Sequence, residues 1–385
     1  MRIFLTVIDS FGVGAMPDAH LFGDEGSNTY VNIFKQTGVA LPLMSALGLR
    51  HIDGVKLPYD KPLIGSFGRM AEKTMAKDTT AGHYELAGIV LQKPYPVFPN
   101  GFPQTLIDKL EQACGTAFLG NEVASGTEII ARLGKQHLAT GKPILYTSQD
   151  SVLQIAAHND VWPLEKLYDL CEKARAVCTG EFNIARVIAR PFTTVNGEFK
   201  RTDYRKDFAL LPPEHSMLDK LKAFGYDVIT VGKVKDVFCD QGITEAITAK
   251  NNQTGLAAIE KLLEKPFKGL AFINLVDTDM LFGHRNDVEG YANALAEIDS
   301  RFLSFLPKLK EDDIFIITGD HGCDPTTSST DHSREYVPLL VYGRSLKSGV
   351  NLGTLIGFDN VANAILDYFY VSNHPDSFLK KLSLN

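Results

Sequence analysis

A chain of 385 residues exceeds what one hydrophobic core usually organises, so two domains are expected. Apolar residues make up 44% and charged residues 22%, with a net charge of −7, which fits a water-soluble globular protein. It argues against nonspecific nucleic-acid binding, which needs a basic surface. Cys114, Cys171, Cys178, Cys239 and Cys323 form no Cys-x-x-Cys pair, so no disulfide framework is expected and a reducing compartment is. The apolar run from Ile3 to Ile8 is too short for a signal peptide, and no run approaches the roughly 20 residues of a membrane span. A cytoplasmic protein with no membrane partner is the expectation.

In chain order, Arg2 to Ile8 reads as a buried strand that stops at Asp9-Ser-Phe-Gly-Val-Gly14. Its Gly-x-Gly lacks the third glycine of a dinucleotide loop. Asp9 is either a turn or N-cap carboxylate or a site residue at a strand end. Residues 10–76 read as loop-rich, with scattered Gly and Pro. In Lys77-Asp-Thr-Thr-Ala-Gly-His-Tyr-Glu85, Thr79 or Thr80 is placed to cap a helix running to about residue 88. A hydroxyl there would sit among free backbone N–H groups, which stabilise an attached phosphate.

Prolines at 94, 96, 99 and 103 mark a boundary. Beyond it come helical patterns at 104–114, 127–139 and 163–178 and strands at 143–148 and 184–188, until Leu210-Leu-Pro-Pro213 closes the segment. Residues 94–211 are therefore expected to form an α+β domain inserted into a discontinuous core of 1–93 and 212–385. The core resumes with a helix at 216–224, a strand at 226–231 ending in Gly232-Lys233, and a helix at 252–264. A strand at 269–276, a helix at 287–306 and strands at 313–318 and 337–342 follow. This alternation predicts an α/β fold with a mostly parallel sheet flanked by helices.

Three of these strands end in carboxylates: Asp9, then Asp277-Thr-Asp279, then Gly319-Asp320-His321. The carboxyl ends of parallel strands are where such sheets bind ligands. With His284 and His332 nearby in sequence, three carboxylates and three imidazoles become available, about the set a pair of divalent ions needs. Mixed oxygen and nitrogen donors suit Mn²⁺ or Zn²⁺. Spacing alone does not separate Asp277 from Asp279. Cys323 is a candidate soft ligand, though a free buried thiol is the simpler reading.

These residues sit in blocks that resemble the phosphopentomutases of the alkaline phosphatase superfamily over nearly the whole chain. The blocks are Val7-Ile-Asp-Ser-Phe-Gly-Val-Gly14 with Pro17-Asp-Ala19, Lys77-Asp-Thr-Thr-Ala-Gly-His83, Gly126-Thr-Glu-Ile129 and Tyr146 to His158. They continue with Arg186 to Phe192, Asn274 to His284, Thr318-Gly-Asp-His-Gly322 and Thr330 to Leu339. The resemblance implies an alkaline-phosphatase-like core with an inserted α+β cap. It implies one Mn²⁺ on Asp9, Asp320 and His321, a second on Asp279, His284 and His332, and Thr79 as the phosphoryl carrier. It implies substrate contacts from Ser148, Asp150, Val152, Arg186, Ile188 and Arg201 of the cap and Lys233 of the core. Gly319 and Cys323 stand where the family pattern has Ala and Asn; neither change removes a ligand.

Residues 186–206 hold six basic and two acidic side chains, a local charge of +4 in an acidic chain, which suits an anionic sugar phosphate. The activity implied is isomerisation: interconversion of ribose 1-phosphate and ribose 5-phosphate, and their 2-deoxy counterparts, in nucleoside salvage. It would run through a phosphothreonine and a bisphosphate, primed by a sugar bisphosphate of the glucose 1,6-bisphosphate type. The alternatives are a metal-dependent phosphomonoesterase or a phosphoglycerate mutase of the same superfamily, and, in another class, a noncatalytic phosphosugar binder.

Overall fold

Arg2–Ile8 forms β1, with all seven residues buried. A strand apolar on both faces needs cover on both, and β1 lies mid-sheet with helices packed on the sheet. The computed structural model describes residues 1–148 and 150–384; Gln149, inside one of the motif blocks, and Asn385 lie outside the described residues. After β1 comes β2 (Ser66–Ala71). Then follow β3 (Leu119–Val123), β4 (Ile144–Thr147), β5 (Val152–His158), β6 (Arg186–Val195), β7 (Glu198–Arg201) and β8 (Lys206–Ala209). The chain continues with β9 (Asp227–Val231), β10 (Glu245–Ile247), β11 (Gly269–Leu275), β12 (Asp313–Thr318), β13 (Val337–Tyr342) and β14 (Asn351–Ile356).

The chain packs as two compact units, one of Met1–Pro94 with Pro212–Asn385 and one of Tyr95–Leu211. The first holds an eight-stranded sheet in the order β10-β9-β11-β1-β12-β13-β2-β14. All neighbours are parallel except that β13 runs against both β12 and β2. The predicted α/β class with a mostly parallel, helix-flanked sheet is what forms. The helix Val288–Phe305 buries Tyr291, Leu295, Ile298 and Phe302 at helical spacing. Truncating one such aromatic to Ala typically costs about 3–5 kcal/mol. Arg2, 2% exposed, donates to Asp313 at 2.9 Å and to the Leu262, Leu263 and Lys265 carbonyls, closing the end of the helix Asn252–Glu264.

The reading of residues 10–76 as loop-rich is corrected: they contain the helices Thr29–Thr37 and Pro42–Leu47 and the strand β2. Both helices end at glycines in the left-handed region, Gly38 (φ 68°) and Gly48 (φ 110°), so part of the glycine content punctuates helices.

The second unit has a mixed sheet, β3-β4-β5-β6-β7, with β8 also paired to β6. The helices Gln104–Cys114 and Leu164–Val177 contribute Leu106, Leu110, Leu167 and Leu170 to one apolar cluster with β5 and β6. The helix Gly126–Thr140 builds a second cluster with Ile129, Tyr146 and Phe192.

Candidate metal centre

β11, β1 and β12 are adjacent and parallel, so their carboxyl ends fall on one edge of the sheet. Asp9 and Asp320 leave β1 and β12 there, both fully buried. Ser10 takes a left-handed conformation (φ 64°), and its N–H donates to Asp320 Oδ1 at 3.0 Å. Such a conformation costs a non-glycine residue about 1–3 kcal/mol and tends to sit where neighbours enforce it. Here Tyr291 is the enforcer, donating its hydroxyl to the Ser10 carbonyl at 2.9 Å. Gly319 answers to close approach: a Cβ there would lie 2.5 Å from the Phe11 carbonyl oxygen.

After β11 a single π-helical turn, Thr278–Phe282, carries Asp279 inward. Asp277 turns elsewhere and accepts the Asn252 N–H at 2.8 Å, at the start of the next helix. The spacing ambiguity between the two aspartates is thus a difference in direction.

Two groups of donor atoms result. Asp9 Oδ1 and Asp320 Oδ2 each lie 3.4 Å from His321 Nε2. Asp279 lies 3.5 Å from His284 Nε2 and 3.3 Å from His332 Nε2, and the two imidazole nitrogens are 3.1 Å apart. Donors about 2.1 Å from one tetrahedral ion would be about 3.4 Å apart. The groups adjoin, with the His321 and His332 ring centroids 4.0 Å apart. Asp9 Oδ1, Asp279 Oδ1 and Asp320 Oδ2 are buried with no hydrogen-bond partner. Unmet buried carboxylates cost on the order of several kcal/mol each, and a cation removes that cost. The residues fit divalent metal.

The imidazoles are prepared for it. His321 Nδ1 donates to the Gly322 carbonyl at 3.0 Å and His284 Nδ1 to the Thr330 carbonyl at 2.7 Å, which turns each Nε2 towards the pocket. Burial would lower the His321 pKa, but the charge of Asp320 and the neighbouring Asp9 and Asp279 carboxylates raise it to about 10. Burial is likewise outweighed at His284, which Asp279 raises to about 9. Burial alone would raise Asp320, yet His321 and His83 hold it below the usual carboxylate range. This concentration of negative charge is what draws a cation. Cys323 is buried, within ligand distance of Asp279 and His284; burial and the surrounding carboxylates push its thiol up.

Thr79 opens the helix Thr79–Leu86, but neither threonine caps it. Asp78 does, accepting from Thr80 N at 2.9 Å and Ala81 N at 3.2 Å. That frees the Thr79 hydroxyl, whose Oγ1 lies 3.2 Å from His321 Nε2 and accepts from Lys233 Nζ at 3.0 Å. Lys233 also pairs with Asp9. Burial would lower its pKa, but Asp9, Asp320 and Asp279 raise it.

In the second unit, Ser148 and Asp150 lie between β4 and β5, and Val152 pairs in register with Arg186 and Gln154 with Ile188. Arg186 is 3.7 Å from both Asp150 and Asp207. Ser148, Asp150, Val152, Arg186 and Ile188 thus share one end of β5 and β6. Arg201 lies apart, opposite Phe192, six residues along β6 from Arg186. It makes no ion pair among the described residues, whereas Arg205, Lys200 and Lys206 pair with Asp207, Glu198 and Glu172. A Cβ on Gly126, the first residue of its helix, would meet the Tyr146 hydroxyl at 2.6 Å and the Arg201 guanidinium at 3.6 Å. Tyr146 is buried and its hydroxyl unpartnered.

Three further residues at the metal edge escaped the sequence reading. Lys77 bridges Asp24 at 3.1 Å and Asp331 at 3.2 Å. Asn274 donates to Asp9 Oδ2 at 3.1 Å, and His83 lies 3.1 Å from Asp320 Oδ2. The only signal was polarity out of place: an amide inside an apolar strand and an imidazole in a motif block.

The sequence profile of the Metalloenzyme superfamily matches residues 1–373. The chain is 53% identical over 383 residues to the phosphopentomutase of Acetivibrio thermocellus, covering 98% of each chain. It is 54% identical over 370 residues to that of Carboxydothermus hydrogenoformans, covering 96% of this chain and 95% of the relative. Among solved structures, the PH0037 protein from Pyrococcus horikoshii superposes with a TM-score of 0.50 at 15% identity, covering 97% of each chain, a likeness of fold alone.

Proposed function

The chain belongs to the phosphopentomutase family within the Metalloenzyme superfamily, and from that premise we propose how its residues carry out the isomerisation. The substrates are ribose 1-phosphate and ribose 5-phosphate and their 2-deoxy forms, in nucleoside salvage. Asp9, Asp320 and His321 hold one Mn²⁺ and Asp279, His284 and His332 the other. When bound, the ions neutralise charge on the transferring phosphoryl group and on the oxygens either side of it.

The chain's own residues do the rest. Thr79 carries the phosphoryl group. Its phosphoester P–O bond breaks as a substrate hydroxyl attacks, giving a sugar bisphosphate and the free threonine. The bisphosphate then returns its other phosphate to Thr79 Oγ1. Lys233 holds a positive charge against that oxygen as it enters and leaves, favouring its anionic form. The helix N-terminus adds the partial positive charge of its dipole, reduced by the Asp78 carboxylate that takes up the Thr80 and Ala81 N–H groups. Arg201 holds the phosphate that is not in transit, with Ser148, Asp150, Val152, Arg186 and Ile188 orienting the pentose. That Arg201 makes no ion pair among the described residues, and that the unpartnered Tyr146 hydroxyl lies beside it at a helix N-terminus, support an anion there. A sugar bisphosphate of the glucose 1,6-bisphosphate type primes the threonine. We place the enzyme in the cytoplasm; among the described residues no helix is long and apolar enough to cross a membrane.

One observation carries this reading: Thr79 Oγ1 lies 3.2 Å from His321 and 3.0 Å from Lys233, against the first donor group. With Mn²⁺, glucose 1,6-bisphosphate and ribose 5-phosphate, the chain should form ribose 1-phosphate and carry phosphate on Thr79. Thr79→Ala should lose both while still binding metal. Free phosphate without ribose 1-phosphate would make it a phosphomonoesterase, and a phosphate on Thr80 would move the nucleophile.

A further inference from the structure

His83 has a place in this site that the phosphotransfer chemistry does not by itself explain. It is fully buried, one turn along the helix from Thr79, and stacks on Phe272 with centroids 5.7 Å apart and ring planes 19° from parallel. Its Nδ1 lies 3.0 Å from the Thr79 carbonyl oxygen and 3.1 Å from Asp320 Oδ2. The carbonyl accepts the hydrogen bond, so Nδ1 carries the proton and Nε2 a lone pair, while Asp320 Oδ2 lies against the same N–H as a charge contact. Nε2 faces Asn274 Nδ2 at 3.4 Å, and the same amide nitrogen donates to Asp9 Oδ2 at 3.1 Å. The two Asn274 protons are thus accounted for, while its own Oδ1 stays unpartnered. Turning the amide over would set oxygen against the Asp9 carboxylate.

From this chain of contacts we propose that His83 is a positioning residue: it ties the backbone of Thr79 to Asp320 and, through Asn274, to Asp9. The nucleophile and both carboxylates of the first donor group are then registered to one rigid ring. Gly82 shows how close the helix lies to that group, since a Cβ there would be 2.1 Å from the Asp320 carbonyl oxygen. The inference rests on the reading of Thr79 as the phosphoryl carrier and of Asp9 and Asp320 as metal ligands. Partners behind a metal ligand commonly change metal affinity by about 10–100-fold when removed.

Three full-length variants separate positioning from packing. His83→Phe keeps the volume and the stack on Phe272 but has no N–H. His83→Asn offers a donor in the place of Nδ1, and His83→Gln offers one in the place of Nε2. Mn²⁺ binding is measured by calorimetry, Thr79 phosphorylation from glucose 1,6-bisphosphate by intact mass against time, and KM and kcat with ribose 5-phosphate. His83→Phe should weaken one of the two Mn²⁺ sites about tenfold or more and slow Thr79 phosphorylation by at least as much, with KM little changed. His83→Asn should recover much of both, and His83→Gln less. Wild-type affinity and phosphorylation in His83→Phe overturn the proposal. If that variant does not fold, recovery by Gln equal to or better than Asn overturns it as well. Failure of the wild-type chain to phosphorylate Thr79 would instead overturn the functional reading beneath it.

Discussion

Gly319 and Gly322 follow β12, a place where glycine commonly serves a turn that needs positive φ. Their need is different, because neither is among the residues with positive φ. What excludes a side chain at Gly319 is the Phe11 carbonyl oxygen, 2.5 Å from where a Cβ would be. Gly319→Ala must push the Phe11 loop off Asp320, so it should destabilise by about 1–3 kcal/mol and weaken metal binding. Thermal melts and Mn²⁺ titration together test this; an unchanged melt and titration would mean the loop yields freely. His332→Ala removes a proposed ligand and should cost one bound ion and most activity. Elemental analysis reads the ion directly, and two ions retained would show the second group to be misassigned.

Among the elements, the short helix Pro42–Leu47 is held from outside itself. Its N-terminal Leu43 and Met44 N–H groups donate at 3.0 and 2.7 Å to the Asp299 carboxylate, which comes from the helix Val288–Phe305. Burial raises the Asp299 pKa to about 6, above the ordinary value near 4. The folded chain therefore keeps this proton where the unfolded chain has released it. The resulting stability is fully present below about pH 4 and is lost as pH rises through 6, on the order of 3 kcal/mol in all. Asp299→Asn has no such slope. In urea unfolding with chelator present, the difference between variant and wild type should shift towards the variant from pH 4 to pH 7.5; a constant difference would refute the assignment. Tertiary contact of this kind is why residues 10–76 looked loop-like. Six residues of helix have little stability alone, and β2 (Ser-Phe-Gly-Arg-Met-Ala) shows no apolar run until it is laid between β13 and β14.

For the whole molecule, the unit Tyr95–Leu211 contains none of the proposed metal ligands and not the proposed nucleophile. Its flanks meet within the first unit, where the Met217 N–H donates to the Ala87 carbonyl at 2.8 Å. A short Gly/Ser linker should therefore replace residues 95–211. The shortened chain should bind two metal ions and keep slow hydrolysis of small aryl phosphates, but lose the mutase reaction. Without the proposed contacts from Arg186 and Arg201, a bisphosphate should dissociate before it returns its second phosphate. A circular dichroism melt must first show a folded product. A folded, metal-loaded product that still makes ribose 1-phosphate would refute this division of labour.

By itself the sequence determined the strands that are continuous apolar runs, β1, β11, β12 and β13, because burial on both faces leaves a pattern within a few neighbouring residues. It also singled out Asp9, Asp320 and His321, because charge at the end of such a run is conspicuous. The pairing of His284 and His332 with Asp279 rested on resemblance to a family. Only the tertiary structure decided that Asp78 rather than a threonine caps the helix Thr79–Leu86 and that Asp277 turns away from Asp279 to the Asn252 N–H. It alone brought Asn274 to His83 across 191 residues of chain. A hydrogen bond between distant residues depends on directions and distances fixed by the packed sheet, and nothing in the local order of side chains encodes them.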